Sequence, residues 1–247
     1  MELAADARPT AVVLLERATI EGVDFHKASF DRFAPIGCTF VRCDFRGLEF
    51  DRRLLPLFAS PRQTVFRECR FDECDLRRTD PGQSRFEGCT FDGARIERWV
   101  AACAEFVGCH FAGPIVASKF YGRPYGPLAA RLDPGRDVNE FRGNDFSRTD
   151  LVDTLFSRGI SFAAQRWPEG EQFIRLDRIH QRMQRGRAEI MRWKDLEARQ
   201  DALAMLLALS RLYGEQNELI RRREDPQAQA SPKVQARVWQ VLESALP

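Results

Sequence analysis

The sequence predicts a mainly β chain wound as a square parallel coil, followed by an α-helical C-terminal domain. Three observations predict it. Large residues recur every five positions from Thr64 to Val116. Every fourth pentad is poor, which gives a second period of twenty. Beyond Trp167-Pro168 the five-beat stops and helical spacing replaces it. A repeat of this kind is settled before any other assignment, because missing it misassigns the fold.

The beat is carried by Phe66, Phe71 and Leu76, then Phe86, Phe91 and Ile96, then Phe106, Phe111 and Val116. Two residues ahead of each sits a small one: Thr64, Cys69, Cys74, Ser84, Cys89, Ala94, Ala104, Cys109, with Pro114 at the end. Neither a helix, at about 3.6 residues per turn, nor a strand, with its period of about 2, repeats every five. Four equal pentads read as four sides of a coil, stacked on the next as parallel ladders about 4.8 Å apart. The large and the small residue then point into the shaft and the other three face water.

The same beat starts at Leu15 and runs through Ile20, Phe25 and Phe30, skips at Pro35, and resumes at Phe40, Phe45, Phe50 and Leu55. Its small slots include Ala18, Val23, Ala28, Cys38 and Cys43. The poor pentads fall at Pro35, Leu55, Pro81, Ala101 and Tyr121, so the fourth side is expected to be irregular or covered by something else. A last coil runs Phe141, Phe146, Leu151 and Phe156, about six coils in all. Phe45, Phe71, Phe91, Phe111 and Phe146 should fill the shaft, and Cys43, Cys69, Cys89 and Cys109 should stack as a buried column.

Cys43-Asp44-Phe45, Cys74-Asp75-Leu76, Asn144-Asp145-Phe146 and Thr149-Asp150-Leu151 resemble the small–Asp/Asn–Leu/Phe core of the pentapeptide repeat family. The resemblance covers roughly 15–162 and implies a right-handed quadrilateral β-helix. Phe and Cys replace the more usual Leu and Ala, so this reads as a divergent member. Arg70, Thr90 and His110 also depart from the Asp/Asn slot.

Two insertions break the register, at 56–65 and 122–140. Both fall where side four passes to side one, so they should leave the same edge three coils apart, about 14 Å. The second holds Tyr121-Gly122-Arg123-Pro124-Tyr125-Gly126-Pro127 and Asp133-Pro134-Gly135-Arg136, plain turn chemistry. Long loops in compact domains are commonly functional. Arg62, Tyr121, Arg123, Tyr125, Arg131 and Arg136 are therefore the expected partner-binding residues.

The domains are read as 10–165, the β-helix, and 166–247, the helical cap. In the tail, Phe173, Leu176, Ile179 and Met183 form one apolar stripe. Leu203 to Tyr213 is a strongly apolar run, and a linker is expected at 225–230. Ser231-Pro232 starts a last helix. Solenoids need caps, because an open shaft and a free ladder edge invite aggregation. The resemblance implies that such a tail can also pair two copies.

No phosphate loop, nucleophile elbow or metalloprotease motif occurs. His26, His110 and His180 are scattered. An enzyme, a cofactor and a metal are not expected. A ligand site in the tail would need a pocket lined by His180, Trp193 and Tyr213. The seven cysteines are read as reduced thiols in a cytoplasm, and no apolar run is long enough to span a membrane.

Residues 18–165 carry 21 acidic and 21 basic side chains, and the tail from 166 carries 12 and 15. The family resemblance implies topoisomerase (DNA gyrase) protection by DNA mimicry as one activity. A polyanion mimic needs dense negative charge, which this balance does not supply unless one side holds an acidic stripe. The basic cluster Arg221-Arg222-Arg223, with Arg182, Arg185, Arg187 and Arg192, reads as a solvated face rather than a nucleic-acid site. The functional expectation is a non-catalytic protein-interaction scaffold with a protein partner.

Overall fold

A pentad that aims two side chains inward leaves its backbone groups free to pair with the coils above and below. The computed structural model shows that pairing and describes residues 12–27, 32–50, 54, 57–58, 60–77, 79–224 and 230–246. Phe30, Ala28, Leu55 and most of the 225–230 linker lie outside the described residues, as do residues 10, 11, 56 and 59.

The first coils contain β1 (Val12–Glu16), β2 (Thr19–Glu21), β3 (Arg32–Ile36) and β4 (Thr39–Val41). Next come β5 (Val65–Arg67), β6 (Arg85–Glu87), β7 (Thr90–Asp92), β8 (Ile96–Glu97) and β9 (Val100–Ala101). Then follow β10 (Glu105–Val107), β11 (His110–Val116) and β12 (Lys119–Tyr121). After α1 (Gly126–Leu132) the last coil holds β13 (Phe141–Arg142), β14 (Asp145–Val152) and β15 (Leu155–Ser157).

Four parallel ladders result, one per side. The first runs β2-β4-β5-β6-β10-β13. The second joins β7, β11 and the start of β14, and is extended downward by single bridges at Asp24, Asp44, Arg70 and Thr90. The third passes from Glu49 through Asp75 and Arg95 to β8, β11 and β14. The fourth is β1-β3 in the first coils and β9-β12-β15 in the later ones. Phe66 faces Phe86 and Phe86 faces Phe106, twenty residues apart each time. Phe40 faces Phe66 and Phe106 faces Phe141, so six and fifteen residues are inserted between those coils. The chain is a repeat β-helix.

The shaft is solid. Phe45, Phe71, Phe91, Phe111 and Phe146 are 0–2% exposed and stack ring on ring, with centroids 4.6–5.1 Å apart. A second stack runs Phe40, Phe66, Phe86 and Phe106 at 5.0–5.1 Å. The ring spacing follows the ladder spacing, so one backbone repeat sets both.

The small slots also behave as expected. Cys43, Cys69, Cys89 and Cys109 are buried. Each thiol donates to a carbonyl of the coil below, from Ile20, Phe40, Phe66 and Phe86, at 3.3–3.5 Å. Burial pushes the Cys89 thiol up, and pushes Cys74 up to about 12. At the last coil the column ends in Asn144, whose amide donates to Phe106 O at 2.9 Å.

On the fourth side the beat slips. Phe33, Phe58, Trp99, Phe120 and Phe156 fill this side, and Pro35 and Ala101 are buried as well. Trp99 donates to Leu76 O and to Thr79 Oγ1. The side is wide enough for an indole, and a strict five-count does not reveal which residue turns in.

The C-terminal region differs from the all-helical expectation. It contains β16 (Phe173–Leu176), α2 (Ile179–Ile190), α3 (Leu196–Leu212), β17 (Leu219–Arg222) and α4 (Pro232–Ser244). Phe173–Leu176 is not the first turn of a helix: it pairs antiparallel with Leu219–Arg222. Short apolar runs do not distinguish the two states, and here the partner strand decides. Asp195 caps α3 by accepting from Ala198 N at 3.0 Å, and Ser231 caps α4 by accepting from Val234 N.

Trp167, expected as a boundary, is the last ring of the shaft. It stacks on Phe146 at 5.3 Å and meets Phe156 edge-on. Phe173 and Ile220 join the same core. The tail also covers the fourth side, where Ala102, Cys103, Tyr121 and Leu155 pack with Leu206, Leu209 and Tyr213. That explains Cys103, the one thiol outside the five-beat.

Candidate functional site

The outward positions carry both signs on each of three sides, with many neighbouring Arg and acidic side chains paired. Arg42 pairs with Glu21, Arg67 with Glu87, and Arg142 with Glu140 on the first side. Arg46 pairs with Asp44, Arg70 with Asp72, and Arg148 with Asp92 on the second. Arg77 and Arg95 share Asp75 on the third. Among the described residues these three sides carry mixed charge rather than an acidic stripe. Exposed pairs of this kind add little stability singly, but they neutralise the surface.

The first insertion does not project as expected. Leu54, Leu57, Phe58 and Ser60 are buried, and Phe58 lies against Phe50, Phe66, Phe71 and Phe86. The apolar side chains leave water to fill the widened fourth side. Gly82 permits this: a Cβ there would lie 2.2 Å from Phe58 O. Among its described residues, Pro61 and Arg62 are the exposed ones.

One side chain ties both insertions to the shaft. Glu105 is 5% exposed. It accepts from Gln63 Nε2 at 2.7 Å, from Arg85 Nη1 at 3.2 Å and from Glu140 N at 2.9 Å. Arg136 Nε lies 3.6 Å from it. Burial opposes the Arg85 charge, yet its bonds to Glu87, Glu140 and Glu105 raise its pKa. The bonds to Arg85 and Arg142 hold the Glu140 carboxyl below the usual range. Glu105 escapes sequence reasoning because it occupies an ordinary outward position beside Phe106.

The second insertion is anchored at both ends and raised between them. Asn139 is 1% exposed and donates to Ala102 O and Tyr121 O. Arg136 donates to Cys103 O and to Asn139 Oδ1. Removing all of 122–140 would therefore strip hydrogen bonds from the shaft. Residues 126–132 form α1, with no fully buried residue and with Leu128, Ala129 and Leu132 packed against the core that the fourth side shares with the tail.

Between this insertion and the turn after α3 lies an open cleft of about 590 Å³. It is lined by Arg123, Pro124, Arg136, Asp137, Val138, Arg158 and Glu215. Arg158 sits with φ 60° and places its guanidinium 3.3 Å from the Tyr125 ring centroid. It also donates to Glu215 at 2.8 Å. Tyr121 meets Tyr125 edge-on at 5.5 Å, and burial pushes the Tyr121 hydroxyl up. At Gly122 a Cβ would lie 2.8 Å from Arg158 O, so the two chain segments touch there. The lining offers guanidinium, carboxylate and aliphatic groups, a set suited to recognition.

Of the expected partner-binding residues, Arg123 and Arg136 line the cleft, and Tyr121 and Tyr125 support its wall. Arg62 and Arg131 lie elsewhere: Arg62 packs against Gly37, and Arg131 faces Asp80. Arg158 and Glu215 were missed, because only folding brings the last coil and the tail beside residues 121–138.

The tail shows no gathering of His180, Trp193 and Tyr213. His180 is exposed, Trp193 is packed beneath Arg237, and Tyr213 is fully buried. The basic cluster is largely committed: Arg221 pairs with Asp153, Arg222 with Asp150 and Arg223 with Glu243. Arg182 is 8% exposed and donates to Leu242 O and Glu243 O at the end of α4. Among the described residues no group of three or more His, Cys, Asp or Glu forms a metal site, and no helix is long and apolar enough to cross a membrane.

The five-residue repeat, its ladders and its filled shaft are of the pentapeptide repeat kind. Residues 64–100 match the family model for pentapeptide repeats, in eight copies. No curated protein sequence matches it. Among solved structures it is similar to QnrB1, described as a plasmid-mediated fluoroquinolone resistance protein. One trypsin-treated form is 15% identical over 66% of this chain and 76% of the other, with a TM-score of 0.22. A second is 16% identical over 63% and 80%, at 0.25. The full-length form is 13% identical over 63% and 92%, at 0.23. Superpositions at these scores carry no weight for function.

Proposed function

We propose that this protein is a non-catalytic, cytoplasmic protein-interaction scaffold. In this reading residues 10–165 form a right-handed, square-sectioned tube, which the four ladders and the twenty-residue register support. Residues 166–247 cap the tube and complete its contact surface. The observation that carries the function is the cleft: four of the six expected contact residues meet there.

The test replaces residues 126–132 with a glycine-serine linker of equal length and leaves Arg136 to Glu140 in place. The thermal midpoint should hold to within a few degrees. Proteins that co-purify with the tagged chain from its native cell should be lost. An unchanged set of partners would sink this reading.

Protection of a type II topoisomerase by DNA mimicry is the rival that the family resemblance implies. The mixed charge on three sides weighs against it, since a mimic needs a run of negative charge. A gyrase supercoiling assay with and without a quinolone decides, and protection there would displace the scaffold reading. The resemblance also implies a homodimer through the tail. Leu196 and Leu207, 61% and 53% exposed on α3, are residues such a contact would cover. Sedimentation velocity checks it.

A further inference from the structure

We propose that the cleft is a receptor for a peptide carboxylate set beside an apolar side chain. This rests on the interaction reading above and names the chemistry of the partner. Arg123 is exposed and makes no ion pair among the described residues, so its fork of donors is available. Arg158 and Arg136 are already held in place, with side chains only 21% and 20% exposed. Guanidiniums fixed before binding lose little side-chain freedom when an acid arrives. Val138 on the rim is 58% exposed, and Tyr125, beneath Arg158, is 47% exposed. They give an aliphatic or aromatic neighbour something to cover.

The charge count selects the ligand. Three guanidiniums and two carboxylates line the cleft, which leaves one positive charge over. That suits a single carboxylate. A nucleic-acid strand brings a phosphate at every nucleotide and would set some of them against Asp137 and Glu215. A free inorganic anion would leave Val138 unused. The carboxylate can come from a glutamate or aspartate side chain or from a chain terminus.

Fluorescence anisotropy with the full chain separates these sources. The probes are fluorescein-labelled peptides: alternating glutamate and leucine with an amidated C-terminus, alternating glutamine and leucine with a free C-terminus, and the latter amidated. Saturable binding of the first assigns a side-chain carboxylate, and of the second a terminal one. Arg123→Ala should weaken the bound probe about tenfold, or about 1.4 kcal/mol, and Arg123→Glu should abolish it. Thermal melts confirm that both variants fold.

The proposal falls if the neutral amidated peptide binds equally well or if neither acidic probe saturates. It falls too if Arg123→Glu binds unchanged, if inorganic phosphate competes as well as the peptide does, or if single-stranded oligodeoxythymidylate binds more tightly. Capture of cellular partners that depends on residues 126–132, with no peptide binding, overturns only this inference. Peptide binding with partner capture unaffected overturns only the scaffold reading.

Discussion

At the scale of single residues, the tube separates positions sharply by the direction they face. Phe91 is fully buried between Phe71 and Phe111, while Arg95 is two-thirds exposed and sits 3.9 Å from Asp75. Phe91→Asp places a charge in a dry shaft and should prevent folding at room temperature. Phe91→Ala should cost about 3–5 kcal/mol, read by urea denaturation. Arg95→Ala should stay within about 0.5 kcal/mol. Equal losses would refute the inward and outward assignment. Ser84 offers a subtler test. Its hydroxyl is buried with no hydrogen-bond partner. Ser84→Ala should leave stability unchanged or raise it by up to about 1 kcal/mol, and a clear loss would reveal a partner for the hydroxyl.

At the scale of elements, what holds the two insertions differs from what makes them visible in the sequence. The beat is legible because the shaft admits a large side chain only where the chain turns in. Phe66, Phe86 and Phe106 announce themselves by spacing alone. Phe58 does not, because its role depends on the width of the fourth side. The pairing of Phe173–Leu176 with Leu219–Arg222 is equally silent, since neither run records its partner. Half of the cleft was legible, as turn chemistry around Tyr121 to Tyr125. Arg158 and Glu215 were not, because their closeness is made by the docking of the tail. Glu105 links the two insertions, so Glu105→Gln should weaken both. A loss of about 1–3 kcal/mol is expected, with faster amide exchange at 61–64 and at 136–140. Faster exchange at only one segment would show that the two are held separately.

At the scale of the whole molecule, the body is almost neutral and several of its carboxylates are paired with arginines. The bonds from Arg46 and Arg77 hold Asp44 and Asp75 below their usual range, as Arg85 and Arg142 do for Glu140. Groups depressed in the folded state stabilise it above their unfolded values and cease to do so as the pH falls through the folded ones. Thermal midpoints should therefore be flat near neutrality and fall below about pH 4. Substituting Asn for both Asp44 and Asp75 should lower the plateau and flatten that acid limb. An identical acid limb in the double variant would remove these carboxylates as its cause.

Six of the seven thiols are strung along the tube at measured intervals, from Cys38 near its beginning to Cys109 near its end, and all are sealed from solvent. They amount to depth gauges fixed at successive storeys. If the tube opens from its first coil, an alkylating reagent applied in brief pulses should mark Cys38 and Cys43 first and Cys109 last. Cys103, roofed by the tail, would record a separate event, the lifting of the cap. Uniform labelling of all seven would mean that the storeys come down together.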